Sequence, residues 1–211
     1  MVETTRPETK MNAAAQTVHV DEKLIEEGTK ARALLKGRSI VLVGMMGAGK
    51  SSVGRRLAKA LNLPFVDADT EIERAAGMSI TDIFAKHGEP EFRSGERRVV
   101  SRLLDEGTAV IATGGGAWMD ETTREKVRER AISVWLKAEV EVLFRRVKKR
   151  GGRPLLKGGD PEQVLRDILA VREPIYAEAD VTVISREVPH EIMIAETLEQ
   201  LHSFLSAKDP A

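Results

Sequence analysis

Residues 44–51 read Gly-Met-Met-Gly-Ala-Gly-Lys-Ser, the G-x-x-x-x-G-K-[ST] spacing of a phosphate-binding loop. Glycines at these positions let successive backbone N–H groups turn inward around a phosphate. A helix starting near Lys50 would add its positive end. Gly47, Ala48, Gly49, Lys50, Ser51 and Ser52 are therefore the candidate contacts to a nucleoside triphosphate. Lys50 can reach the β- and γ-phosphates, and Ser51 can place its hydroxyl on Mg²⁺. The bland alternative is a glycine-rich strand–helix turn. The apolar run before the motif and the helical pattern after it favour the phosphate loop.

Two carboxylates follow at i, i+2, Asp67 and Asp69. A phosphate-loop enzyme needs an acid near its magnesium, usually after a hydrophobic strand. The apolar runs ending at Thr113 and Leu136 carry no Asp at their ends, so Asp67 is the candidate for contact behind the metal. Asp69 would then orient an acceptor hydroxyl and take its proton. It would equally serve as the N-cap of a helix over Thr70–Ala76, and local sequence does not separate the two. Gly114, Gly115 and Gly116 leave a further apolar run, offering exposed N–H groups and close approach to a ligand, or simply a flexible turn. Arg93 and Glu96 stand at i, i+3, so the acid can orient the guanidinium. A held arginine clamps a carboxylate or phosphate through two parallel bonds; the simpler reading is a solvated ion pair. Gly151-Gly152 and Gly158-Gly159 bracket Arg153–Lys157 within a basic stretch. That is the pattern of a mobile flap closing a cation, Arg153, over a transferring phosphate. Arg145, Arg146, Lys148 and Lys149 read instead as solvated cations at a helix end.

The elements that must position these residues alternate in type. Ser39–Val43, Leu63–Val66, Ala109–Thr113, Ala131–Leu136 and Val181–Ser185 are short runs of buried-strand character. Helical patterns cover Lys50–Leu61, Glu71–Ala76, Ser79–Lys86, Glu89–Asp105, Thr122–Arg130, Glu139–Lys149, Pro161–Ala177 and His190–Leu205. Ser79 and Asp82 have capping-box spacing. Such alternation implies an α/β fold, with right-handed crossovers and a parallel sheet covered on both faces. Ligands in these sheets bind beyond the carboxyl ends of the strands, which is where Gly44–Ser51, Asp67–Asp69 and Gly114–Gly116 fall. Asp21–Lys36 has helical spacing with Gly37 as a stop. Residues 1–20 read as a disordered or loosely attached tail, residues 21–37 as an N-terminal helix, and residues 38–211 as the main domain.

Composition narrows the class. With 211 residues, 42% hydrophobic and 31% charged, the chain can bury one sizeable core. Lys and Arg total 33, as do Asp and Glu, which argues against a general nucleic-acid binder. The absence of cysteine excludes a disulfide scaffold, Cys-ligated zinc, iron–sulfur clusters and a thiol nucleophile. His19, His87, His190 and His202 have no metal-ligand spacing. No apolar run approaches the roughly 18 residues of a membrane span, and the first residues lack the apolar core of a secretory signal. A cytoplasmic monomer without nucleic-acid or membrane partners is expected.

In order and spacing, Gly44–Ser51, Asp67-Ala-Asp69, Gly88-Glu to Phe92-Arg93 and Glu96, Gly114-Gly-Gly116, Arg153-Pro154-Leu-Leu and Arg172-Glu-Pro-Ile-Tyr176 resemble the shikimate kinase family. The resemblance runs from Ser39 to about Leu205. It implies a P-loop NTPase-like three-layer αβα fold, similar to nucleoside monophosphate kinases. The implied sheet has five parallel strands in the order 2-3-1-4-5, with a mobile lid over about residues 150–160. It also implies ATP-dependent phosphorylation of the shikimate 3-hydroxyl, giving shikimate 3-phosphate and ADP, in chorismate and aromatic amino-acid synthesis. Lys50, Asp69 and Arg153 would then carry catalysis. Residues 47–52 and Arg153 would hold ATP, with Ser51 and Asp67 at Mg²⁺. Asp69, Arg93, Gly114, Gly115, Gly116 and Arg172 would bind shikimate; Arg93 and Arg172 would take its carboxylate, and Glu96 would fix Arg93. The adenine partner stays open between Arg146 and Arg150, with Arg186 to Pro189. Alternatives are a related small-molecule kinase such as gluconate kinase, and a catalytically silent nucleotide-binding module. The latter would be expected to have lost Lys50, Asp69 or Arg153.

Overall fold

The central strand β1 (Ser39–Val43) is buried along its whole length, as expected of an apolar run with neighbours on both edges and helices on both faces. The computed structural model describes residues 22–150 and 160–208. In it β1 pairs in parallel with β3 (Val110–Ala112), starting at Ile40 opposite Val110, and with β4 (Ala131–Lys137), starting at Ser39 opposite Ala131. The edge strands β2 (Phe65–Asp67) and β5 (Val181–Ile184) pair with β3 and β4 respectively, also in parallel. The order β2-β3-β1-β4-β5 is the one that the family resemblance implied. β2 starts two residues later than its apolar run because Pro64 has no N–H to give. The Pro64 carbonyl still accepts from Val110 N at 2.9 Å, an arrangement that suits an edge strand.

Helices surround this sheet. α1 covers residues 22–35. It is followed by α2 (Lys50–Leu61), α3 (Ala68–Ala76), α4 (Ile80–Asp105), α5 (Glu121–Arg130), α6 (Val140–Arg150), α7 (Pro161–Tyr176) and α8 (His190–Lys208). Two expectations change. α3 begins three residues early because Asp67, not Asp69, is its N-cap, accepting from Asp69 N. The two helices expected between Ser79 and Asp105 form one element broken at Gly88, whose φ of 80° and ψ of 174° are non-helical. Ser79 caps it by accepting from Asp82 N at 3.1 Å. α1 is part of the domain: Ala31 and Leu35 are buried, and Arg32 donates to the Asn62 carbonyl at 2.7 Å. The expected tail, and residues 151–159 of the expected lid with Arg153, lie outside the described residues.

Candidate active site

The phosphate loop leaves the carboxyl end of β1 and turns into α2. Gly44, Gly47 and Gly49 have φ of 130°, 83° and 96°, conformations that only glycine takes without strain. The first turn of α2 contains no acidic residue, and among the described residues no side chain bonds to its cap. Its N–H groups are therefore directed at an incoming anion. Lys50 Nζ donates to the carbonyls of Gly44 and Met45 at 2.7 and 3.0 Å. Ser51 Oγ donates to Asp67 Oδ2 at 2.7 Å, so the loop hydroxyl and the last residue of β2 meet across the sheet ends.

Beside this loop the structure assembles a second cluster from four elements. Asp69 is the second residue of α3, its N–H bonded to Asp67 Oδ1 at 3.2 Å; the helix-capping alternative thus passes to Asp67. The Asp69 and Glu96 carboxylates converge on Gly114: a Cβ there would stand 2.8 Å from Asp69 Oδ1 and 2.7 Å from Glu96 Oε1. Arg93 donates to Glu96 Oε2 at 2.6 Å and to Glu89 Oε1 at 3.1 and 3.2 Å. The Arg93–Glu96 pair is no solvated surface bridge, since the Glu96 side chain is 3% exposed. Burial pushes the Glu96 carboxyl up, the Arg93 charge opposes that, and Asp69 and Asp120 add to it. Glu96 Oε1 is buried and has no hydrogen-bond partner among the described residues.

The glycine triplet is the joint between the two clusters. Thr113 is buried and donates through Oγ1 to the Leu42 carbonyl at 3.0 Å, which roots the triplet on β1. A Cβ at Gly116 would fall 2.4 Å from Arg93 Nη1, so the guanidinium occupies the space that any side chain would need. Arg172, on α7, donates to the Gly115 carbonyl at 3.1 Å. The Tyr176 hydroxyl donates to the same oxygen. A Cβ on Gly115 would lie 3.4 Å from Met46 N and 3.6 Å from Gly44 O; the triplet therefore abuts the phosphate loop. Lys50, Ser51, Asp67, Asp69, Arg93, Glu96, Arg172 and the three glycines all meet at one end of the sheet.

One reading needs correction. Arg146, which the sequence pattern places as a solvated cation at a helix end, points inward. It donates to Ser185 Oγ at 2.9 Å, to the Gly47 carbonyl at 3.3 Å and to the Arg186 carbonyl at 2.8 Å. Ser185 is buried and donates to the Ala48 carbonyl at 2.7 Å. A cavity of about 270 Å³ opens here between Gly49, Ser52, Arg146, Arg186 and Val188. Ser185 directly follows β5, so the rule of inspecting strand ends pointed to this place. Tyr176 was a second omission; it closes the Arg172-Glu-Pro-Ile-Tyr176 motif and stands at i+4 from Arg172, but the sequence assigned it no role. Among the described residues, no group of three or more His, Cys, Asp and Glu could hold a metal by itself. Among them, too, no helix is long and apolar enough to cross a membrane.

Known proteins resemble this chain in sequence and fold. The family model described as shikimate kinase matches residues 46–202, from the phosphate loop into α8. The shikimate kinase of Rhodopseudomonas palustris is 60% identical over 178 residues, covering 84% of this chain and 88% of that protein. The structure of the shikimate kinase from Acinetobacter baumannii in complex with shikimate has a TM-score of 0.77 at 40% identity, over 82% of this chain and 97% of that one. A gluconokinase from Sinorhizobium meliloti has a TM-score of 0.54 at 23% identity, over 82% of this chain and 95% of that one; this is a likeness of fold alone. With a matching profile over most of its length and relatives this close, the chain belongs to the shikimate kinase family.

Proposed function

We propose that the chain transfers the γ-phosphoryl group of ATP to the 3-hydroxyl of shikimate, giving shikimate 3-phosphate and ADP for chorismate and aromatic amino-acid synthesis. The observation that carries the reading is the pair of guanidiniums, Arg93 and Arg172, held at one glycine loop beside Asp69 and against the phosphate loop. A small carboxylic acid needs cations away from the phosphates, and two forked donors suit its carboxylate. The balanced charge of the chain fits a small-molecule acceptor better than a polyanion.

Each residue then has a task. The N–H groups of residues 47–52 and the Lys50 ammonium hold the triphosphate. Arg146 and the segment from Arg186 to Val188 border the cavity beside the phosphate loop, which suits the adenine ring. The Ser51 hydroxyl and Asp67 carboxylate, bonded at 2.7 Å, are hard oxygen donors of the kind that Mg²⁺ takes. Bound there, Mg²⁺ would neutralise charge on the β- and γ-phosphates. Asp69 orients the 3-hydroxyl and accepts its proton. The hydroxyl oxygen bonds to the γ-phosphorus, the bond from that phosphorus to the β–γ bridging oxygen breaks, and the electron pair leaves with ADP. Glu96 locks Arg93 on the substrate carboxylate. Arg153, known only from its place in the sequence, supplies a cation to the transferring group.

A coupled ADP-release assay with shikimate and gluconate as competing acceptors tests the reading. Turnover with shikimate far above that with gluconate is expected. A preference for gluconate, or ATP binding without turnover of either, would overturn it.

A further inference from the structure

The Gly115 carbonyl accepts two hydrogen bonds, one from Arg172 Nη1 at 3.1 Å and one from the Tyr176 hydroxyl. Both donors sit on α7 one turn apart, so they share a face. Tyr176 is fully buried and stacks on Trp135, ring centroids 5.9 Å apart and planes 21° apart. Trp135 lies on β4 opposite Val43, the last residue before the phosphate loop. The phenol is therefore placed by the sheet rather than by a loop. A second tie supports the same joint: Trp118 Nε1, just beyond the glycine triplet, donates to the Ile175 carbonyl at 2.9 Å. Arg172, by contrast, has a long side chain whose position must be imposed from outside.

We propose that Tyr176 is a positioning residue of the acceptor site: its hydroxyl fixes the Gly115 carbonyl, and that carbonyl fixes the Arg172 guanidinium. The inference rests on the reading that Arg172 holds the shikimate carboxylate. Burial raises the phenol above its ordinary range, against the nearby Arg172 charge, so the hydroxyl keeps its proton and remains a donor at neutral pH. Tyr176 touches no substrate in this role; it removes freedom from a residue that does.

The test is a double-mutant cycle on the full chain with Tyr176→Phe and Arg172→Ala. Tyr176→Phe removes one buried hydrogen bond and keeps the ring stack. The shikimate KM is expected to rise roughly threefold to tenfold, with kcat and the ATP KM near wild type. A structural role alone would lower the unfolding temperature and damage both KM values. Arg172→Ala should raise the shikimate KM further, and the double variant should match Arg172→Ala, because the hydroxyl acts through that side chain. Losses that add independently would overturn the inference, as would a normal shikimate KM in Tyr176→Phe. A normal shikimate KM in Arg172→Ala would instead overturn the reading beneath it. The chain has a single tyrosine, so 3-fluorotyrosine labelling gives one fluorine resonance even if Tyr176→Phe fails to fold. That resonance should shift with shikimate in the unsubstituted protein and not in Arg172→Ala; no shift in the unsubstituted protein would overturn the inference.

Discussion

Gly116→Ala adds one methyl group where the Arg93 guanidinium already stands. The backbone at Gly116 has φ of −101° and ψ of −15°, which alanine adopts without strain. The new Cβ would lie 2.4 and 2.6 Å from Nη1 and Nη2 of Arg93 and 2.7 Å from Cζ. Non-bonded atoms settle at about 3.5 Å, so the guanidinium must retreat by roughly 1 Å. It cannot do so freely, because Nη1 is held at 2.6 Å by the buried Glu96. A displacement of that size in a positioning group costs up to ~10²-fold. The shikimate KM should therefore rise about 10-fold to 100-fold, or roughly 1.4 to 2.8 kcal/mol. The ATP KM should stay near wild type, while the strain against the buried ion pair lowers the unfolding temperature modestly. The same methyl group at Gly114 meets different atoms, Glu96 Oε1 at 2.7 Å and Asp69 Oδ1 at 2.8 Å. It crowds the proposed base, so Gly114→Ala should lower kcat more than it raises KM. Steady-state ADP release with shikimate varied, alongside thermal unfolding, reads all of these quantities. A folded Gly116→Ala enzyme with the wild-type shikimate KM would refute Arg93 as the carboxylate clamp. Equal damage to one parameter by both variants would refute the division of roles around the triplet.

Asp69→Asn keeps the size of the side chain and removes its basicity; turnover should fall by roughly 10²-fold to 10⁴-fold while ATP still binds. Because Asp67 is the cap of α3, Asn at 69 costs no capping bond, and normal turnover would remove Asp69 from the chemistry. Glu96→Gln tests the buried acid through pH. Burial raises its native pKa, with Asp69 and Asp120 adding and Arg93 opposing, so the native state keeps a proton that the unfolded chain has lost. The stability contributed by Glu96 is full below the ordinary glutamate range and is lost as pH rises through the raised native value. The unfolding temperature of wild type relative to Glu96→Gln should fall over that window, and a difference that grew with pH would contradict the assignment. Gly28→Ala, on α1, would put a Cβ 2.1 Å from the Ala60 carbonyl oxygen, a backbone atom that cannot swing away. A loss of about 1–3 kcal/mol in stability is expected from such overpacking, and an unchanged unfolding temperature would show that α1 is not docked on α2.

How far these features could be read beforehand depends on whether they lie within one element or between several. β1 and β4 were legible because a parallel strand buried on both faces must be apolar throughout. The phosphate loop was legible because its chemistry is confined to consecutive residues. The strand order came from family resemblance, since periodicity says nothing about which edges meet. Sequence could not decide whether Asp69 caps a helix or faces an acceptor, because the cap is defined by where α3 begins, and α3 begins early enough for Asp67 to take that place. Arg146 was misread for a similar reason. A cation in the last turns of a helix looks the same whether it faces water or the Ser185 hydroxyl, and only the packing of α6 beside the phosphate loop decides. The glycine triplet is the strongest case. Its three residues are identical, yet Gly114 is crowded by two carboxylates, the Gly115 carbonyl holds Arg172 and Tyr176, and Gly116 abuts Arg93. These groups come from α3, α4 and α7. A run of glycines records that something approaches closely; what approaches is set by the helices that the sheet order brings to that end.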